Sequence, residues 1–305
     1  MESFFNSGGG PEPSHFIVVA LCFAIFFCAV RFFLDRFLFR GLAIWLSGKG
    51  AAPLKLNKAT QAKIIKCSES MWKLTYYAAG EAFILQLAYH EPWFTDTKEY
   101  FRGWPNQELK LPLKLYYICQ CGFYLYSIVA LLTWETRRKD FVVMMSHHVV
   151  TVILIGYSYM TRIGSVILAL HDACDVFMEA AKVFHYSEKE LASSVSFGLF
   201  ALSWFVLRLI FFPFWVIKAS SYDIRDYLNT SEANQKSLYY VFNTMLLTLL
   251  VFHVYWGILL CLMISRMLKN RGKLGDDVRS GKSTLLSLIQ RMTTRWKIHI
   301  LTKST

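Results

Sequence analysis

Charge is scarce in this chain. Only 18% of its 305 residues are Asp, Glu, Lys or Arg, whereas 55% are hydrophobic and 16% aromatic, and the mean hydropathy is +0.35. A soluble globule is excluded, and a polytopic membrane protein is implied. The seven cysteines (Cys22, Cys28, Cys67, Cys119, Cys121, Cys174, Cys261) show neither a zinc spacing nor a disulfide framework, and Cys119-x-Cys121 is too tight for CxxC chemistry. They read as apolar filler, with Cys174 placed to line a site without acting in it. There is no H-E-x-x-H and no G-x-S-x-G, and histidine occurs only eight times. Gly281-Lys282-Ser283-Thr284 imitates the end of a phosphate-binding loop. However, five residues separate Gly275 from Gly281 where four are needed, and Asp276 and Asp277 would repel phosphate. The net charge of +12 suggests nucleic acid, but the basic residues fall in alternate loops between apolar runs, which is the pattern of a membrane topology.

The apolar runs divide the chain into an all-α protein with seven expected spans: His15–Leu34, Glu69–Tyr89, Pro112–Trp134, Phe141–Met160, Arg162–Phe184, Ala192–Ile217 and Leu238–Met267. Residues 1–14 are polar and expected to be disordered. The first span lacks a basic leader and a small-residue cleavage site, so it reads as an anchor. Residues 15–65 comprise this anchor and a basic connector, whose Phe37–Leu46 stretch is expected to lie along the interface. Residues 66–267 form the main domain, and 268–305 a basic tail. The basic stretch 35–68 carries Arg36, Arg40, Lys49, Lys55, Lys58, Lys63 and Lys66, and 135–140 adds Arg137, Arg138 and Lys139. The loops at 91–110 and 218–236 are nearly balanced in charge. The positive-inside rule then puts the amino terminus outside and the carboxyl terminus in the cytosol, as an odd number of spans requires. Asn229-Thr230-Ser231 is a glycosylation sequon in a loop that this topology makes lumenal.

The stretch Met144–Tyr186 is apolar enough for a membrane, yet it carries His147, His148, His171, Asp172, Asp175, Glu179 and Lys182. Each ionisable group at membrane depth costs roughly 2.5–3.5 kcal/mol on insertion scales, so a cluster marks a site. The plainer alternative is two buried helices with satisfied polar residues. On a helix His171 and Asp175 are four apart and Asp172 and Asp175 three apart, so they share a face. His147 and His148 point about 100° apart. If the two spans form a hairpin turning near Thr161, His147 and Asp175 lie at similar depth, about 21 Å from the turn. A histidine would then meet a carboxylate across the hairpin, in a centre opening to the cytosol. Two chemistries fit: a metal site, since three His and two Asp exceed a ligand set, or proton transfer and nucleophilic catalysis by an Asp-oriented His.

The stretches Ser146–Thr151 (SHHVVT), Arg162-Ile163-Gly164 and Leu170–Lys182 (LHDACDVFMEAAK) resemble the Lag1 motif of ceramide synthases, within the wider TLC family of membrane proteins. GWPNQELKLPLKLYY (103–117) and CQCGFY (119–124) resemble its plant branch. The resemblance implies a TLC-type helical bundle in the endoplasmic reticulum membrane. It implies transfer of a fatty acyl group from acyl-CoA to the amine of a sphingoid base, with no cofactor and no metal. Expected partners are the acyl-CoA, the sphingoid base, membrane lipids and a homo- or heterodimeric copy, with no nucleic acid. Carried onto this chain, the essential residues are His147, His148, Asp172 and Asp175, with His171 supporting. Relative to the family pattern the stretch between Tyr159 and Arg162 is a few residues short, which shifts the register of the two spans by most of a turn. Competing readings are a non-catalytic TLC-type lipid sensor or transporter, and a metal-dependent hydroxylase or hydrolase.

The outlying residues have plainer readings beside functional ones. Arg137, Arg138 and Lys139 suit the phosphates of coenzyme A, or simply set topology. Arg208 is expected to pair with a site acid or a head group. His253 reads as a satisfied span histidine, Lys73 as a residue snorkelling to the interface, and Glu81 as bonded to a neighbouring helix. By family analogy the 218–236 loop helps select acyl-chain length.

Overall fold

The computed structural model describes residues 13–48, 57–94, 96–104, 107, 109–135, 138–159, 161–227 and 233–269. Arg137, Met160, Asn229 and the Gly275–Thr284 stretch lie outside them, as do most of the expected amino-terminal tail and nearly all of the basic carboxyl-terminal one. Helix α1 (Pro13–Leu34) does not break where the first span was expected to end. It passes through a π-helical segment, Asp35–Phe39, into α2 (Arg40–Ser47), so the stretch expected to lie separately along the interface continues the first helix. Asp35 explains the local geometry. It accepts a hydrogen bond from Ser68 and pairs with Arg40 at 2.8 Å, tying the widened turn to the next long helix.

That helix, α3 (Lys58–Ala88), begins at Asn57, whose Oδ1 accepts from the Thr60 amide at 2.8 Å as an N-cap. Next come α4 (Leu111–Thr133), which takes Pro112 in its first turn, then α5 (Phe141–Ser158), α6 (Ile163–Tyr186) and α7 (Glu190–Ser203). A second π-helical segment (Trp204–Ile217) extends α7 around Pro213 and runs into the short α8 (Lys218–Ser221). Proline has no N–H to give the ladder, and its ring crowds the preceding turn, so the helix widens there. Helix α9 (Ala233–Lys269) completes the bundle. Among the described residues all regular structure is helical.

Five helical stretches are long and apolar enough to cross a membrane: His15–Ser47, Leu111–Thr133, Phe141–Ser158, Glu190–Tyr227 and Gln235–Lys269. Seven spans were expected; α3 and α6 do not reach that apolarity, because they carry the charged residues. At 31 and 24 residues they measure about 46 and 36 Å, more than a hydrocarbon core. They also pack chiefly against one another. Helix α6 sits between α3 on one side and α7 with its π extension on the other, while α1 packs on α4 and α5 packs on α4 and α9. The two polar helices therefore form one packed pair, with α6 flanked on both sides.

Lipid is as apolar as leucine, so helices associate here through close packing rather than water exclusion. Gly122 lets α4 approach α1: a Cβ there would collide with the Phe23 side chain and the Ala20 carbonyl. Beside this contact Phe27, Trp72, Tyr76, Phe123 and Tyr126 form an aromatic cluster, in which Tyr76 and Phe123 stack at 3.4 Å. The α5–α6 connection is equally tight. A Cβ on Gly164 would meet Ser158 and the Tyr117 hydroxyl, and that hydroxyl donates to the Thr161 carbonyl at 2.6 Å. Arg162 donates to the Glu99 carbonyl at 2.9 Å, and Gln107 accepts from the Arg162 amide at 3.2 Å. Thr97 also bonds Asp223 at 2.8 Å. The 91–110 and 218–227 segments thus meet at the end of the bundle that holds this turn.

Candidate functional site

The site grows from the middle of α6. Asp172 is fully buried and faces α3 and α4. Its Oδ2 accepts a hydrogen bond from Gln120 Nε2, and its Oδ1 is buried without a partner. One turn on, Asp175 pairs with Arg208 of the second π segment, Nη2 to Oδ1 at 3.1 Å. The same Nη2 donates to the His171 carbonyl at 2.8 Å, and the guanidinium lies 4.3 Å over the Trp204 ring. Arg208 therefore takes the expected place beside a site acid, and it locks the wide segment to α6.

The histidines gather on another side of α6. His171 Nδ1 lies 2.6 Å from the Ile167 carbonyl, and its Nε2 lies 2.8 Å from His253 Nε2. A carbonyl only accepts, so the Nδ1 of His171 carries a proton. The neutral ring then presents a bare Nε2, to which His253 Nε2–H donates. His147 stacks on His171 (centroids 6.3 Å, 23° apart) and meets Trp256 edge-on at 5.2 Å. Its Nδ1 is buried without a hydrogen-bond partner. His148 turns away toward Tyr124, at 5.5 Å. Its Nδ1 faces the Met144 carbonyl at 2.7 Å, so the same logic leaves its Nε2 bare.

Two expectations change. The ring that His147 meets across the hairpin is His171, one helical turn before Asp175. Counting residues from the turn presumed parallel axes, but α6 packs chiefly on α3 and α7 while α5 packs on α4 and α9. The two carboxylates also find other partners, Gln120 and Arg208, rather than histidines. His253, read as an ordinary span histidine, is fully buried against the site. Gln120 and Tyr76 were missed as well. Their one sequence signal is that Gln120 is a lone amide among apolar and aromatic residues of its span. Among the described residues no three His, Cys, Asp or Glu side chains are grouped to hold a metal. A narrow cavity of about 20 Å³, room for a water molecule, runs from His171 and Tyr124 between α5 and α6 toward Ser158 and Gly164.

At the opposite end from that turn the site meets a charged mouth. Lys73 reaches this mouth, where it bridges Glu69 at 3.3 Å and Glu135 at 2.8 Å. Burial alone would raise the Glu135 carboxyl. Lys73 outweighs it, helped by Arg31 and Arg138, and the pKa falls below the ordinary carboxylate value. Lys182 bonds Glu179 at 2.6 Å, leaving Glu179 Oε2 buried and unpartnered. Arg138 is half-buried and Lys139 exposed in the same loop, and Arg137 lies outside the described residues. Glu81 leaves Oε2 buried without the interhelical bond expected of it. Cys174 is buried and bonds the Leu170 carbonyl of its own helix at 3.5 Å.

The TLC domain family model matches residues 66–262. Ceramide synthase LOH2 of Arabidopsis thaliana is 61% identical over 290 residues, covering 92% of this chain and 98% of that protein. ASC1-like protein 3 of Oryza sativa subsp. japonica is 59% identical over 275 residues, covering 89% and 96%. Ceramide synthase 5 of Mus musculus is 33% identical over 227 residues, covering 73% of this chain and 53% of that protein.

Proposed function

This chain belongs to the TLC domain family, and we propose that it is a ceramide synthase, transferring a fatty acyl group from acyl-CoA to the amine of a sphingoid base. The observation that carries the reading is the state of the buried histidines. His147 keeps a ring nitrogen free of any hydrogen bond, beside a His171 whose own nitrogens are both committed. An uncommitted imidazole held in a buried, aromatic-walled site suits nucleophilic catalysis. In the favoured sequence a His147 nitrogen attacks the thioester carbonyl. The C–S bond breaks, coenzyme A leaves as its thiol with the proton released from the other ring nitrogen of His147, and a neutral acyl-imidazole remains. The sphingoid amine attacks that carbonyl, the bare Nε2 of His148 takes the amine proton, the bond to His147 breaks, and the proton passed back from His148 restores His147 as neutral imidazole. The alternative is a ternary complex in which His147 acts only as general base. Asp172, Asp175 and His171 hold the geometry, with Arg208 fixing Asp175.

The reading extends to α3 and α6 as two further spans, the second and fifth of seven in chain order, with residues 66–267 as the catalytic domain. It sets the amino terminus in the lumen, the carboxyl terminus in the cytosol and the protein in the endoplasmic reticulum membrane. The loop bearing Arg137, Arg138 and Lys139 then receives coenzyme A phosphates at the cytosolic mouth. Glycosylation at Asn229, selection of chain length by the 218–236 loop and assembly as a dimer belong to the same reading.

The test is an acyl-transfer assay on purified protein with a series of acyl-CoA lengths and a sphingoid base. Wild type is expected to form the amide. His147→Ala and Asp175→Asn, at matched folded amount, are expected to lose it. Acyl group trapped on wild-type protein without amine supports the covalent route. Absence of wild-type activity across chain lengths in folded protein would overturn the reading.

A further inference from the structure

Gln120 lies on α4, outside the Ser146–Thr151 and Leu170–Lys182 stretches, and it is almost fully buried. Its orientation is fixed from both ends. The Tyr76 hydroxyl donates to Oε1 at 3.0 Å, so Nε2 is the end that must face Asp172 and the Tyr116 hydroxyl, the latter at 3.1 Å. Gly80 of α3 lies beside this pair: a Cβ there would be in ordinary contact with Asp172 Oδ2 at 3.6 Å and Gln120 Nε2 at 3.7 Å. The result is an aspartate with one oxygen committed and the other, Oδ1, wholly buried and unpartnered. A buried carboxylate oxygen without a donor is costly, so its persistence points to a donor that arrives with a ligand.

We propose that Gln120, held by Tyr76, is a positioning residue that aims Asp172 Oδ1 at the amino group of the sphingoid base. This rests on the N-acyltransferase reading and names the part of the site that receives the amine. The chemistry fits both partners. An amine brings two or three N–H donors into a membrane interior where water is scarce, and a carboxylate oxygen takes one of them with a charge-assisted bond. Neutral glutamine suits the role better than a cation would. A Lys or Arg at 120 would neutralise Asp172 and compete for it, whereas an amide orients the carboxylate and leaves its charge for the substrate.

The experiment compares Gln120→Leu, which roughly keeps the volume and removes all three side-chain bonds, with Tyr76→Phe, which keeps the stack on Phe123 and removes only the orienting hydroxyl. For Gln120→Leu the KM for the sphingoid base is expected to rise about ten- to a hundredfold, the range of one lost hydrogen bond to a charged group. The KM for acyl-CoA is expected to stay within about twofold. Tyr76→Phe is expected to move in the same direction by a smaller factor. Equal loss toward both substrates, or no change in either variant, overturns the proposal. The companion measurement is thermal stabilisation of the detergent-solubilised protein by a sphingoid base against its N-acetylated form. Wild type is expected to be stabilised by the free amine only, and both variants to lose that preference. Should wild type bind the amine without turning over, the N-acyltransferase reading fails and the amine site stands. Absence of the preference in wild type, or its retention in both variants, overturns the amine site.

Discussion

Replacing Arg208 by methionine removes a buried cation while roughly preserving its length. Three contacts are lost together: the 3.1 Å pair with Asp175, the 2.8 Å bond to the His171 carbonyl and the stack on Trp204. Most of the cost comes from the carboxylate left behind. Stranding one member of a buried pair costs about 3–5 kcal/mol, whereas removing both members together is close to neutral. At about 2 cal/mol/K of unfolding entropy per residue, 3–5 kcal/mol lowers the melting temperature of a chain of this size by roughly 5–8 °C. Thermal unfolding of the purified protein in detergent, followed by fluorescence, measures it. Arg208→Met alone is expected to show the full shift. Asp175→Asn alone is expected to show a smaller one, since its amide still accepts from the guanidinium. The double variant is expected to recover most of the Arg208→Met loss, with a coupling above about 1 kcal/mol. Activity stays lost in all three, because Asp175 and the His171 backbone are no longer held. Additive single effects would refute the idea that this pair fastens the π segment to α6.

Three further outcomes follow from the same geometry. Gly164→Ala is expected to cost about 1–3 kcal/mol by overpacking against Ser158 and Tyr117, and Ser158→Gly in the same chain to restore part of it, both read as melting temperature. His253→Phe, which deletes the donor to His171 Nε2, is expected to lower kcat about tenfold or more, with His253→Gln retaining part of the rate through its amide N–H; equal kcat in all three proteins would remove His253 from the site. Lys73→Met is expected to destabilise the protein at neutral pH and progressively less in acid. The Glu135 carboxyl is depressed in the folded state, so its contribution is complete above its unfolded value of about 4.3 and disappears as pH falls through the folded value. A Lys73→Met penalty independent of pH from 7 down to 3 would contradict that assignment.

The helices and the polar centre were legible because both are written locally. Runs of apolar residues mark the five membrane-length helices, and His147, His148, His171, Asp172 and Asp175 stand out against such a background. What was not legible is long-range. Nothing near His253 says that α9 will bring it to His171, eighty-two residues earlier. Nothing near Gln120 says that α4 faces Asp172. The π segments were hidden too. Pro213 signals a disturbance, yet a widened helix and a kinked one share that signal. The level of His147 was misjudged because residue counts from a turn ignore how two helices diverge once each packs on a different neighbour.

The close approach at Gly122 sets an order of events in synthesis. Helix α1 finds its main partner in α4, not in the helix that follows it. Between Ala20 and Gly122 lie about a hundred residues, and ribosomes add roughly 5–20 residues per second. For some 5–20 seconds the first helix must therefore wait in the bilayer with its packing face against lipid. During that interval the nascent chain exposes a packing face that the finished protein covers.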